Sequence, residues 1–183
     1  MFDWTGVPIG LFDVYMEVGE IKALKSAGTD YVPIEVWIGC CSSKNRIRPE
    51  CRDIRRRPVY GVMKQILRLC GEKQALLIFQ CDESGDPGSD TTGQSGTIFL
   101  LLRELRRLGK VKNAVVYTGY FREQVIRGCQ SRFFREQDQE NHMELYRTID
   151  VLILSQYHAY WQSPGRRILS GREQILQCLE LMP

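Results

Sequence analysis

The sequence predicts one α/β domain organised on a parallel sheet, and three observations predict it. Short apolar, β-branched runs recur along the chain, each closed by a turn former, as buried parallel strands are. Amphipathic stretches of helical period separate them, so strand and helix alternate. The length, 183 residues with 43% hydrophobic and 26% charged, suits one domain with a real core and hardly two.

The first thirty residues carry the least signal. Leu11 to Ile21 mixes apolar and acidic residues, and Ala27-Gly28-Thr29-Asp30 breaks it. Tyr31–Ile38 is the first clear strand, with Pro33 near its start, where a strand tolerates proline. It runs into Gly39-Cys40-Cys41 and a basic loop. Val59–Leu69 follows as a helix with Val62, Ile66 and Leu69 on one face. Ala75–Phe79 is the second strand, ending in Gln80-Cys81-Asp82-Glu83-Ser84-Gly85-Asp86-Pro87 and a Gly/Ser/Asp/Thr-rich loop to Gly96. Thr97–Leu108 reads as an amphipathic helix that Gly109 stops.

The stretch Lys112–Tyr120 organises the rest. Its apolar run ends in Tyr117-Thr118-Gly119-Tyr120, so its polar groups fall at the carboxyl end of a strand. That is where open α/β sheets and barrels bind ligands. A helix is expected from about Arg122, then an exposed polar segment Ser131–Asn141. Met143–Tyr146 leads into a strand over Ile149–Leu154. Ser155–Gly171 reads as loop, and Arg172–Leu181 as a closing helix.

Net charge is +3, unevenly placed. Between Lys44 and Arg57 seven basic residues stand against Glu50 and Asp53, a local +5 that leaves −2 for the remainder. Such a run is either a solvated loop or a docking patch for an acidic surface or a phosphate-bearing ligand. No aromatic residue interleaves it before Tyr60, which argues against a single-strand nucleic-acid binder. No run of about 18 apolar residues occurs, so no membrane span is expected. Neither a secretory signal nor a disulfide framework is visible. Seven cysteines, an odd number without regular spacing, point to a reducing, cytoplasmic setting, with thiols or metal ligands.

Other motifs are weak. Asp82, Glu83, Asp86 and Asp90 form an acidic cluster of the kind hard cations favour, but at no dedicated spacing. His142 and His158 have no partner pattern that suggests a triad or a zinc site.

Tyr117-Thr118-Gly119-Tyr120, the strand Ile149-Asp150-Val151-Leu152 and the tail segment Ser170-Gly171-Arg172-Glu173-Gln174 together carry a family resemblance. In order and spacing from about Val32 to Gln174 the chain resembles the radical S-adenosylmethionine activases of glycyl-radical enzymes, above all those serving anaerobic ribonucleotide reductase. The resemblance implies an open partial (β/α) barrel, a [4Fe–4S] cluster and S-adenosylmethionine as cofactors, and a glycyl-radical enzyme as partner. It also implies the chemistry: the cluster passes one electron to the sulfonium, and the resulting 5′-deoxyadenosyl radical takes hydrogen from a glycine of the partner. The cofactor carries that reaction while the protein orients it.

Two elements of the family pattern are altered. The three cluster thiols in C-x3-C-x2-C spacing become Cys40, Cys41 and Cys51, and Arg48 stands where the second thiol is expected. Thiolate is the ligand such a cluster requires, and a guanidinium cannot replace it. Either Cys40 or Cys41 answers to the first ligand. The Gly-Gly-Glu-Pro that holds the amino group of S-adenosylmethionine becomes Ser84-Gly85-Asp86-Pro87, in which Asp86 keeps the charge but is one methylene shorter. Ser84, Gly85, Asp86 and Thr118 are thus the implied cofactor residues. Two classes follow: a glycyl-radical-activating oxidoreductase, or a cluster-free member of the same fold acting as a binding or regulatory module.

Overall fold

In a computed structural model, residues 10–25, 28–38, 54–81, 94–118, 143–156 and 165–170 are described. They build a seven-stranded sheet with helices packed against it. A four-residue turn of helix, α1 (Gly10–Asp13), precedes β1 (Tyr15–Ala23), β2 (Tyr31–Ile38), β3 (Arg55–Pro58), α2 (Val59–Cys70), β4 (Gln74–Cys81), α3 (Ser95–Arg107), β5 (Val111–Thr118), β6 (Val151–Gln156) and β7 (Gly165–Ser170). A further helical turn covers 143–148, just before β6.

The sheet order is β3-β1-β2-β4-β5-β6-β7. The four strands read from the sequence, β2, β4, β5 and β6, lie side by side and parallel in chain order. β1 and β7 flank them antiparallel, and β3 pairs antiparallel with β1 on the outside. Among the described residues nothing pairs β3 with β7, so the sheet is open.

Among the described residues the helices take one side of the sheet. Ile34, Val36 and Ile38 of β2, Ala75, Leu77 and Phe79 of β4, and Ala114 and Val116 of β5 share a core with Val62, Met63, Ile66 and Leu67 of α2 and Ile98, Leu101, Leu102 and Leu105 of α3. The helical spacing of 3 and 4 thus meets the strand spacing of 2 on one face. Leu145, Tyr146 and Ile149 close the same core beside β6. Gly71 (φ 57°) and Gly109 (φ 68°) end the two long helices in the left-handed region, where a Cβ would be strained.

Three strands correct the sequence reading. β1 occupies the stretch without clear signal, because its register shifts between Val18 and Ile21. Its buried residues Met16, Val18 and Ile21 are therefore spaced two and then three apart, and the period of 2 is broken. β3, Arg-Arg-Arg-Pro, was expected as part of a basic loop. It is an edge strand held by backbone pairing rather than by an apolar face. The expected loop Ser155–Gly171 contains the end of β6 and all of β7. The helix expected from Arg122, the polar segment Ser131–Asn141 and the closing helix Arg172–Leu181 lie outside the described residues.

Candidate functional site at the carboxyl edge of the sheet

Because β2, β4, β5 and β6 are parallel, their carboxyl ends share one edge. Ile38 pairs with Cys81, Phe79 with Val116, and Thr118 with Leu154. The sequence-derived residues attach there. Thr118 is the last residue of β5. Cys40 and Cys41 follow the last residue of β2 by two and three positions, and Ser84, Gly85 and Asp86 follow the last residue of β4 by three to five. Cys40, Cys41, Cys51, Ser84, Gly85 and Asp86 lie outside the described residues, as do the other members of the acidic cluster and both histidines.

What is described fixes the ends of the segments that carry them. Val18 of β1 pairs with Ile38 on one side and with Arg55 on the other. The segment between β2 and β3 therefore starts and finishes two strand spacings apart, about 10 Å. Trp37 and Ile54 draw the two ends closer, since Trp37 is only 3% exposed and Ile54 packs against it. Cys41 is four residues past Trp37 and Cys51 three before Ile54, each within about 10–14 Å of that contact along an extended chain.

A second tie governs the segment between β4 and α3. Gln94, at the start of α3, meets the backbone of Glu17: the Glu17 N–H donates to Gln94 Oε1 (2.6 Å) and Gln94 Nε2 donates to the Glu17 carbonyl (3.1 Å). Glu17 lies just beyond Val18, the level at which β2 ends. The Gln94 amide thus acts as a one-residue strand beside β1, above the end of β2. Segment 82–93 consequently begins at β4 and finishes above the end of β2, against β1. Gln94 is not legible in the sequence, because an amide that caps a strand leaves no local pattern.

The helix-free face below this edge is built in rows. Trp37 and Gln80 pair across β2 and β4, with Tyr117 next on β5. One step towards the amino ends come Lys22, Glu35, Ile78, Val115 and Val151. Glu35 is the polar centre, with only 12% of its side chain exposed. Its Oε2 meets Lys22 Nζ at 3.2 Å, and its Oε1 accepts from Gln80 Nε2. Burial draws the Lys22 pKa down, but the Glu35 and Glu20 carboxylates outweigh it and leave it raised. The Lys22–Glu35 pair orients the Gln80 amide, with its nitrogen spent on Glu35. None of these three was singled out from the sequence, where alternating polar residues in a half-buried strand look like an ordinary solvent face.

Comparison adds no relative: no family model matches the chain, and no curated protein matches it. No helix of the described residues is long and apolar enough to cross a membrane. Among the same residues no cluster of three or more metal-ligating side chains occurs.

Asp150, part of the Ile-Asp-Val-Leu run, has its work at the opposite edge. Its Oδ2 accepts from the Ala114 N–H at 2.7 Å and from Arg106 Nη2 at 2.8 Å, while its own N–H donates to the Ala114 carbonyl at 2.9 Å. It starts the β5–β6 ladder and fastens α3 to it through Arg106.

Proposed function

We propose that the protein is a cofactor-binding member of the radical S-adenosylmethionine type, with its sheet forming the wall of an open partial (β/α) barrel. Strands added in chain order, with the helices on one face, support the barrel reading. Such winding leaves the opposite face without a helix among the described residues, whereas a doubly wound sheet carries helices on both. The observation that carries the functional reading is the anchoring of segments 39–53 and 82–93 around one strand end, that of β2. The first segment holds Cys40, Cys41 and Cys51, and the second holds Ser84, Gly85 and Asp86.

Three thiols tethered through the Trp37–Ile54 contact suit a [4Fe–4S] cluster in number and softness, with one iron left for S-adenosylmethionine. When bound, that cluster supplies an electron to the sulfonium. By the family resemblance Asp86 is assigned to the ammonium of S-adenosylmethionine, Gly85 to close backbone approach and Thr118 to cofactor binding. The partner would be a glycyl-radical enzyme. The test is anaerobic reconstitution with iron and sulfide. A brown protein absorbing near 400 nm, with about four irons per chain, is expected, and Cys41→Ala and Cys51→Ala should each abolish it. Circular dichroism checks that both variants fold.

A second reading has one observation in its favour: Arg48 in place of the second family thiol, which leaves adjacent cysteines to supply two ligands. Neighbouring side chains on extended backbone diverge. In that reading the same edge binds a nucleoside-like ligand without a cluster. Colourless protein that still binds S-adenosylmethionine by calorimetry would decide for it.

A further inference from the structure

We infer that β3 is a docking edge to which an acidic, extended segment of a partner protein adds as a strand. Three independent features of the described residues meet there. The first is the backbone. In an antiparallel ladder the N–H and C=O of one residue point the same way. Both groups of Glu17 are taken by Gln94, so the Glu17–Arg56 pair opposite is the one without hydrogen bonds. The N–H and C=O of Arg56 therefore face outward, and among the described residues no strand lies beyond β3.

The second is charge. Arg55 and Arg57 pair with the core-facing residues Val18 and Met16, and so lie on the helix side, while Arg56 lies on the other. Arg57 is held in place by Gln65 Oε1 (2.8 Å), and Arg56 stacks over the Tyr15 ring at 4.9 Å. An added strand would meet a guanidinium on each of its faces.

The third is apolar exposure. Phe12 and Tyr15, each 44% exposed, are the exposed large hydrophobic residues among those described, and both flank this strand. Tyr15 pairs with Pro58, and Phe12 lies against Tyr60 at the start of α2, ring centres 4.2 Å apart. Arginines on an edge strand do guard against unwanted pairing. That role needs no exposed aromatic rings beside them. A nucleic acid fits less well, because base stacking needs an open ring face and Arg56 and Tyr60 already lie against Tyr15 and Phe12. Open backbone, cationic flanks and apolar anchors are what strand addition with acidic specificity uses. The inference stands apart from the cluster: it draws only on β1, β3 and the helices beside them.

The test uses the full chain and a fluorescein-labelled decapeptide of alternating glutamate and valine, followed by fluorescence anisotropy at low ionic strength. Binding is expected, weakened about tenfold by Arg56→Glu and by N-methylation of alternate peptide amides, with Arg56→Lys intermediate. Circular dichroism confirms that the variants fold. Equal binding of a decapeptide of alternating lysine and valine, or of the N-methylated peptide, overturns the inference. So does tighter binding of a ten-nucleotide oligothymidylate than of the acidic peptide, or no peptide binding up to millimolar concentration.

Discussion

Asp150→Ala is the most informative single change to the fold, because Asp150 serves as backbone and as ion-pair partner at once. The Ala114 N–H whose hydrogen bond it accepts belongs to a fully buried residue in the middle of β5, just before the β5–β6 ladder. Removing the carboxylate strands that donor, at about 1–3 kcal/mol. The pair with Arg106 adds little. Both side chains are about one-third exposed, 35% and 34%, so screening holds it to roughly 0.2–1 kcal/mol. The expected loss is about 2–3 kcal/mol, which in a domain of this size lowers Tm by roughly 5–10 °C. Asp150→Asn keeps an acceptor for Ala114 and gives up the charge, so it should lose only about 0.5–1 kcal/mol. Urea titration with matched slopes measures both. Equal losses in the two variants would refute the backbone role, and so would an Asp150→Ala protein within about 0.5 kcal/mol of the parent.

Gln94→Ala should cost about 1–3 kcal/mol in the same assay, because it leaves both Glu17 backbone groups without their partner. Gln94→Glu, which accepts but does not donate at neutral pH, should fall between. Lys22 stabilises through a pKa raised above its ordinary 10.5, so its contribution is complete below that pH and is lost as pH climbs through the folded value. Stability followed across pH 10.5 should therefore fall more steeply in the parent than in Lys22→Met; parallel curves would count against the Glu35 pair. Cys70 is buried, and burial pushes its thiol pKa up despite Lys110 nearby. Peptide mapping after iodoacetamide should find it modified only once the chain is unfolded. Rapid labelling in the native state would contradict its place in the core.

The four central strands were legible because burial on a parallel sheet leaves continuous apolar runs such as Ala75–Phe79 and Ala114–Val116. The two long helices were legible from spacing, and their ends from Gly71 and Gly109. β1 was hidden by the irregularity between Val18 and Ile21, whose spacing imitates a helix. β3 was hidden because its pairing is carried by peptide groups that every sequence shares. The attachment of the candidate residues to one edge was legible: Thr118 closes β5, Cys40 and Cys41 come two and three residues after β2, and the Ser-Gly-Asp-Pro run starts three residues after β4. Contacts made at a distance were not legible. Gln94 on Glu17 is separated by 77 residues, and Gln80 on Glu35 by 45. No aromatic residue lies inside the basic run, yet the fold brings Tyr15 to Arg56 from forty-one positions away.

The Gln94 clamp bears on how segment lengths can vary. Segments 39–53 and 82–93 are tied at both ends to the sheet, and the core of the described residues lies between strands and helices, so the candidate residues and that core are separate sets. Lengthening a closed segment costs little, growing only with the logarithm of its length. Such spans can therefore change in length at small thermodynamic cost, since the sheet fixes where each begins and ends.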